Sequence, residues 1–88
     1  MEDDKKFKIL YLCTGNSCRS QMAEGFTRRL VKDQIDAYSA GIDPKEIDPR
    51  AIKVMAEVGI NISRQESKST DDIKNMEFDF VITLCDNA

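Results

Sequence analysis

Eight residues, Cys13 to Ser20, constrain the fold of this chain more than any other stretch. They read Cys-Thr-Gly-Asn-Ser-Cys-Arg-Ser and lie between a strand-like run and a helix-like run. The upstream run, residues 7–12, is rich in apolar and aromatic side chains, as is typical of a buried strand. Downstream, apolar residues recur at helical spacing, namely Met22, Ala23, Phe26, Leu30 and Val31. This order predicts a loop that ends in the N-terminus of a helix.

The loop has the composition of an oxyanion site. Backbone N–H groups and the positive end of the helix dipole favour an anion there, and they favour Cys13 as a thiolate, the nucleophilic form of cysteine. The guanidinium of Arg19 offers a planar set of donors to two oxygens of an oxyanion. Gly15 and Asn16 tolerate the left-handed backbone that turns successive amides inward, and Ser20 is placed to donate to the Cys13 sulfur. A buried cysteine beside a solvated arginine is the alternative, and the complete octet argues against it.

Composition limits the remaining possibilities. A chain of 88 residues forms at most one small domain. It is 41% hydrophobic and 33% charged, without a long apolar run or signal-peptide pattern, so we expect a globular cytoplasmic protein. A net charge of -3 argues against nucleic acid and anionic membranes as partners, and any anionic substrate needs local attraction. Three cysteines without histidine or a Cys-x2-Cys pair favour reactive thiols over a disulfide framework or a zinc site.

The other elements follow from local signals. The first helix is predicted at residues 20–33, a second strand at 35–41, and a third strand at 78–84. A second helix is predicted to start with Asp48 as its N-cap and Pro49 at its first position, and to end at Gly59. Residues 69–75 are predicted to form a short helical turn, in which Asp71 and Asp72 belong to a cap and not to a metal or acid site.

The order strand, helix, strand, helix, strand predicts an α/β fold with parallel strands and right-handed crossovers. If the helices cover opposite faces in a three-layer sandwich, the strand order is 2-1-3. The ligand crevice then lies at the carboxyl end of the first strand, where the topology changes direction. Cys13 lies there, and Cys85, which ends the third strand, reaches the same edge of the sheet.

Three stretches resemble the thioredoxin-coupled arsenate reductases, which share the low-molecular-weight protein tyrosine phosphatase fold. They are Cys13 to Gly25, Tyr38 to Ile42 and Val81 to Cys85. The resemblance implies that Cys13 attacks arsenate, and that Ser20 and Ser17 help to stabilise its thiolate. It also implies a phosphatase-type oxyanion loop, in which the substrate oxygens are held by Arg19 and by the loop residues Thr14, Gly15, Asn16, Ser17 and Cys18.

The resemblance also implies the redox partners. Cys85 would release arsenite by forming a disulfide with Cys13. In the family, a third cysteine a few residues further on attacks the second one and exposes the final disulfide to thioredoxin. No metal or cofactor is implied besides this external thiol reductant.

The sequence departs from the family after Cys85, which is followed only by Asp86, Asn87 and Ala88. The third family cysteine, the Asp-Pro loop with the general acid, the fourth strand and the last helix have no counterpart in these 88 residues. We therefore expect residues 1–88 to form a single but incomplete domain. Its apolar third strand is expected at an edge of the sheet, and turnover with thioredoxin is expected to be poor.

Several residues allow two interpretations. Cys85 taken alone fits a core cysteine, and its shared edge with Cys13 favours the redox role. Cys18 fits a packing role better than that of an auxiliary thiol. Glu24 fits a solvated or loop-bracing carboxylate better than a member of a cation site.

Three functions remain open. Arsenate reduction is the leading interpretation, and a small phosphatase for phosphotyrosine or other phosphate esters is the alternative on the same fold. Cys85 favours the first, because a redox enzyme needs a second thiol whereas a phosphatase needs an acid for its leaving group. A non-catalytic oxyanion-binding module is the third.

Overall fold

The computed structural model describes residues 6–84 and contains a parallel three-stranded sheet. Its strands are β1 (Phe7–Cys13), β2 (Ile35–Gly41) and β3 (Phe80–Thr83). The helices are α1 (Arg19–Val31), α2 (Pro49–Glu57) and a short 3-10 helix (Thr70–Ile73). β1 lies in the centre and pairs with both neighbours, which gives the order β2-β1-β3. The predicted α/β class and the predicted strand order 2-1-3 are confirmed.

The two faces of the sheet are covered by different kinds of structure. On one face lies α1, whose Thr27 hydroxyl is 2.7 Å from the Tyr11 hydroxyl of β1. On the other face, Leu10 and Ala40 pack with Ile73 of the 3-10 helix. The ring of Phe78 extends this cluster by an edge contact with Tyr38, at 5.5 Å between ring centroids. Successive side chains of each strand point to opposite faces of the sheet, so both faces can be packed. The three layers are α1, the sheet, and the 3-10 helix with the residues after it.

The second helix does not cover the opposite face of the sheet. Instead α2 packs on α1, around a core of four buried residues, Ala51, Met55, Ile60 and Ile62. Gly25 of α1 makes this approach possible, because a Cβ atom there would lie 2.6 Å from Ile62 Cγ2. The predicted strand order is right. The predicted placement of the second helix on the opposite face is wrong, because that face is covered by the 3-10 helix and the residues after it.

The buried residues of α1 are mostly polar, and two of its large apolar side chains are exposed. Phe26 and Leu30 are 39% and 73% exposed. The buried positions of α1 are Ser20, Gln21, Glu24 and Gly25. Apolar spacing predicted the helix correctly, and the fully buried positions of α1 are mostly polar residues below the loop.

The N-terminus of α2 forms as its sequence predicts. Asp48 Oδ1 accepts a hydrogen bond from Arg50 N at 2.9 Å, and Pro49 occupies the first turn. Hydrogen bonding to the Arg50 side chain, and then to its backbone, lowers the pKa of Asp48. Beyond the helix, Gly59 has a φ of +83°, the left-handed conformation expected after a helix end.

The 3-10 helix is held by a capping box. Asp72 N donates to Ser69 Oγ at 3.3 Å, and Ser69 N donates to Asp72 Oδ2 at 3.0 Å. Asp72 therefore belongs to a cap, as predicted, and Asp71 lies in the same first turn.

β3 forms an edge of the sheet and is shorter than predicted. Its residues Phe80, Val81 and Ile82 are 55%, 54% and 41% exposed. Pairing continues past the strand, since Leu84 N donates to Leu12 O at 2.7 Å. Cys85 lies outside the described residues.

Candidate active site

The oxyanion loop (residues 13–19) connects the end of β1 to the start of α1. Cys18 precedes α1 and supplies no side-chain hydrogen bond to cap it. The first N–H groups of α1 therefore have no capping side chain at this residue, which is the arrangement that suits an anion. The nucleophile predicted from the sequence, Cys13, is half-buried at the end of β1.

Two hydrogen-bonding groups lie next to the Cys13 sulfur. Asn16 N donates to Cys13 Sγ at 3.1 Å, and Ser20 Oγ lies 2.9 Å from the same sulfur. A backbone amide and a hydroxyl at these distances can both donate a hydrogen bond to the sulfur. The positions of Cys13 and Ser20 therefore suit the roles predicted for them.

The side chain of Asn16 determines the direction of the Ser20 hydrogen bond. Asn16 Oδ1 accepts from Lys68 N at 2.6 Å, which identifies it as the oxygen of the amide. Asn16 Nδ2 then donates to Ser20 Oγ at 2.9 Å. Because the serine oxygen accepts this bond, its own proton is available for Cys13 Sγ.

Asn16 also carries the conformation that turns the loop. It has a φ of +50°, the left-handed region, and it is completely buried. Gly15 and Asn16 both tolerate this conformation, and only Asn16 adopts it. Gly15 instead lies in a crowded position, where an added Cβ would be 3.3 Å from Ser17 Oγ.

The carbonyl groups of the oxyanion loop bind an outer wall formed by residues 42–48. Four backbone N–H groups of this wall donate to loop carbonyls: Ile42 to Cys13 at 3.3 Å, and Asp43 to Thr14, Lys45 to Gly15 and Asp48 to Ser17 at 2.8 Å each. Because these carbonyl groups face the wall, the N–H groups of the loop can face its inner side. Asn16 N does so, since it donates to Cys13 Sγ. Ser17 thus contributes a backbone contact to the architecture of the loop.

Gly41 permits the close approach of β2 to the loop. An added Cβ at this position would lie 2.6 Å from Thr14 O and 2.8 Å from Asn16 N. Both atoms are backbone, so no side-chain rotation would relieve the overlap. Gly41 was predicted only as the end of a strand, and the small residues that precede it were the available signal.

A network of buried polar side chains supports the loop from below, and sequence analysis missed most of it. Gln21 Nε2 donates to Asn16 O at 3.0 Å and to Glu66 O at 2.9 Å, while Gln65 Nε2 donates to Gln21 Oε1 at 2.7 Å. Gln65 occurs in a stretch without an obvious motif, and Gln21 lies in the first motif without a role of its own having been predicted for it. A glutamine directly inside a predicted helix N-terminus was the only hint.

Glu24 is buried and not solvated. Its Oε1 accepts a hydrogen bond from Ser39 Oγ at 2.6 Å, and its Oε2 pairs with Arg28 at 2.7 Å. Lys68 Nζ lies 4.0 Å from Oε1. Glu24 therefore links α1 to β2 and to the segment that binds Asn16.

The remaining predicted site residues occupy varied positions. Thr14 and Arg19 are exposed, and Cys18 packs against the α1–α2 core. Within residues 6–84, no three His, Cys, Asp or Glu side chains come together as a metal-binding group. None of the helices in that range is long and apolar enough to cross a membrane.

The structure is thus that of an α/β protein with a cysteine at a strand end, its sulfur bonded to a loop amide, and an arginine at the following helix N-terminus. Residues 8–88 match the family described as low molecular weight phosphotyrosine protein phosphatase, and the chain belongs to this family.

Individual relatives are similar to this chain but longer. The arsenate reductase of Halalkalibacterium halodurans is 50% identical over 80 residues, which cover 91% of this chain and 58% of that protein. A structure of "an arsenate reductase in the phosphate binding state" is 43% identical, with a TM-score of 0.84 over 90% of this chain and 60% of the other. A thioredoxin-dependent arsenate reductase from Corynebacterium glutamicum is 30% identical, with a TM-score of 0.81 over 98% and 46%. The chain thus spans about three fifths of the length of the curated relative.

Proposed function

We propose that this chain carries the substrate-binding and nucleophilic part of an arsenate reductase. The observation that carries the proposal is the pair of hydrogen-bonding groups at Cys13 Sγ, Asn16 N at 3.1 Å and Ser20 Oγ at 2.9 Å. They stabilise a thiolate at the mouth of an anion-binding loop. Similarity to arsenate reductases over most of the chain supports arsenate as the oxyanion.

In the first step, arsenate binds the inward N–H groups of the loop and the guanidinium of Arg19. The Cys13 thiolate attacks arsenic, so that a sulfur–arsenic bond forms and one arsenic–oxygen bond breaks. The departing oxygen takes up protons and leaves as water. The loop donors neutralise the charge of the oxyanion during this exchange.

In the second step, the Cys85 thiolate attacks Cys13 Sγ. The sulfur–sulfur bond forms while the sulfur–arsenic bond breaks, and its electron pair stays on arsenic. Arsenic leaves as arsenite, and two thiols have been oxidised to one disulfide. The hydrogen bond from Leu84 N to Leu12 O supports this pairing, because it brings the chain just before Cys85 alongside the residue just before Cys13.

An external dithiol is then needed to restore both cysteines. We propose a thioredoxin-like reductant, as in the similar thioredoxin-dependent enzyme. Thiols that cycle in this way require a reducing compartment, which is consistent with the cytoplasm.

Phosphate-ester hydrolysis is the second candidate, favoured by the description of the family. The same loop accepts phosphate as readily as arsenate, since both are tetrahedral oxyanions. Reduction consumes two thiols for each arsenite formed, whereas hydrolysis consumes none.

The test is a count of free thiols and of arsenite after one equivalent of arsenate is added to the reduced protein. We expect two thiols to disappear for each arsenite released. The Cys18→Ser variant is the matched control and should behave in the same way, whereas Cys13→Ser and Cys85→Ser should release no arsenite. Unchanged thiols with turnover of p-nitrophenyl phosphate would instead support the phosphatase, and unchanged thiols without turnover would support a binding module.

A further inference from the structure

We propose that Lys45 is a binding residue for the oxyanion at the rim of the loop, with Asp43 holding its ammonium group when no anion is bound. This inference rests on the proposed function and adds a substrate contact to it. It answers a problem posed by the composition, because a protein of net charge -3 repels the anion that its loop is built to bind.

The backbone of Lys45 is fixed against the loop. Lys45 N donates to Gly15 O at 2.8 Å, and Ser67 Oγ lies 3.3 Å from the same carbonyl. The side chain begins its path along the loop, since Lys45 Cγ lies 3.5 Å from the position of a Cβ added to Gly15. From Cγ, three single bonds lead to the ammonium group. A change of rotamer therefore moves the charge while the backbone of residues 42–48 stays in place.

The ion pair between Lys45 and Asp43 is weak. Lys45 Nζ lies 3.0 Å from Asp43 Oδ2, and the two side chains are 66% and 70% exposed. An ion pair with this exposure contributes little to stability, because water solvates both charges almost as well. A divalent oxyanion in the loop, with more charge than one carboxylate, competes successfully for the ammonium group.

The other nearby charges do not replace this role. Lys68 Nζ donates to Glu66 O at 2.9 Å and faces the buried Glu24, so it is directed to the support network. Glu46 follows Lys45 and is exposed, which adds a negative charge to the rim. Lys45 is therefore the cation of the outer wall, residues 42–48, that lies against the loop.

The test measures how well inorganic phosphate protects Cys13 from alkylation by iodoacetamide, at low ionic strength. Lys45→Gln should weaken protection about threefold, as expected for an exposed charge contact, and Lys45→Arg should restore most of it. Asp43→Asn should strengthen protection, because it frees the ammonium group. The control is Lys53→Gln on the exposed side of α2, which makes the same change in net charge away from the loop.

The outcomes separate this inference from the proposed function. Equal protection constants for Lys45→Gln and Lys53→Gln would overturn the role of Lys45 while leaving the oxyanion loop intact. A loss that persists in high salt would also overturn it, since screening should remove a contact between exposed charges. Absence of phosphate protection in the parent protein would overturn both proposals.

Discussion

At the scale of single residues, a chain of three hydrogen bonds leads to the sulfur of Cys13. Lys68 N fixes the amide of Asn16, the amide donates to Ser20, and Ser20 is left with its proton directed at Cys13 Sγ. Sequence analysis could predict Cys13, Arg19 and Ser20 because their spacing lies within one loop. It could not predict the contribution of Lys68, because this residue is brought to the loop only by the fold.

Replacing Ser20 by alanine should slow the alkylation of Cys13 about tenfold at neutral pH, because a hydrogen bond to a charged group is lost. The rate is read from the mass of the tryptic peptide 9–19 in a Cys18→Ser background, where Cys13 is its only thiol. Ser63→Ala is the control, since the hydroxyl of Ser63 donates to Asn61 Oδ1 and not to the loop. Equal rates for the two variants would contradict the hydrogen-bond chain.

The left-handed conformation of Asn16 gives a second prediction at this scale. Asn16→Gly and Asn16→Ala both remove the amide, but only alanine retains the steric cost at a φ of +50°. We expect the alanine variant to be less stable than the glycine variant by about 1 kcal/mol, measured by urea denaturation. Equal stabilities would show that the loop relaxes to another conformation once the amide is removed.

At the scale of elements, the signals that worked were local ones. The range of β2, the Asp48-Pro49 start of α2 and the glycine after it were predicted correctly because each depends on neighbouring residues. The burial of Gln21 and Glu24 in α1 was not predicted, since their partners Glu66 and Ser39 are distant in sequence. The buried polar residues of α1 are therefore the part of the fold that supports the oxyanion loop.

The cap of α2 should make stability depend on pH. The pKa of Asp48 is lowered in the folded protein by its hydrogen bonds to Arg50, so its contribution is present above its unfolded pKa and is lost as pH falls through the folded pKa. Asp48→Asn keeps a capping oxygen but loses the charge. The difference in urea midpoint between parent and variant should therefore be largest near neutral pH and shrink in acid. A difference that stays constant with pH would contradict the role of the charge.

The contact between β2 and the loop gives a prediction with a matched pair of glycines. Gly41→Ala places a methyl group against backbone atoms of Thr14 and Asn16, whereas Gly59→Ala meets nothing nearer than 3.9 Å but retains a φ of +83°. Each should cost stability, about 1–3 kcal/mol for the first and about 1 kcal/mol for the second. Only Gly41→Ala should also abolish phosphate protection of Cys13. Normal protection in that variant would show that the loop tolerates displacement of β2.

At the scale of the whole molecule, the exposed apolar side chains of β3 favour self-association. Phe80, Val81 and Ile82 lie on an edge strand, and such edges pair with other chains. We expect the 88-residue chain to self-associate as its concentration rises, and Val81→Lys to reduce this association in sedimentation velocity. Lys74→Glu is the control for a change of surface charge elsewhere. A monodisperse parent protein at high concentration would contradict the prediction.

The most direct test of the account is the identity of the disulfide that arsenate produces. Trypsin leaves Cys13 in peptide 9–19 and Cys85 in peptide 75–88, so their bond joins two peptides, whereas a bond from Cys13 to Cys18 stays within one. In the parent protein, we expect arsenate to yield the crosslinked pair of peptides together with one arsenite per crosslink, and phosphate to yield neither. Arsenite release without that crosslink, or a crosslink that forms equally well with phosphate, would contradict the account.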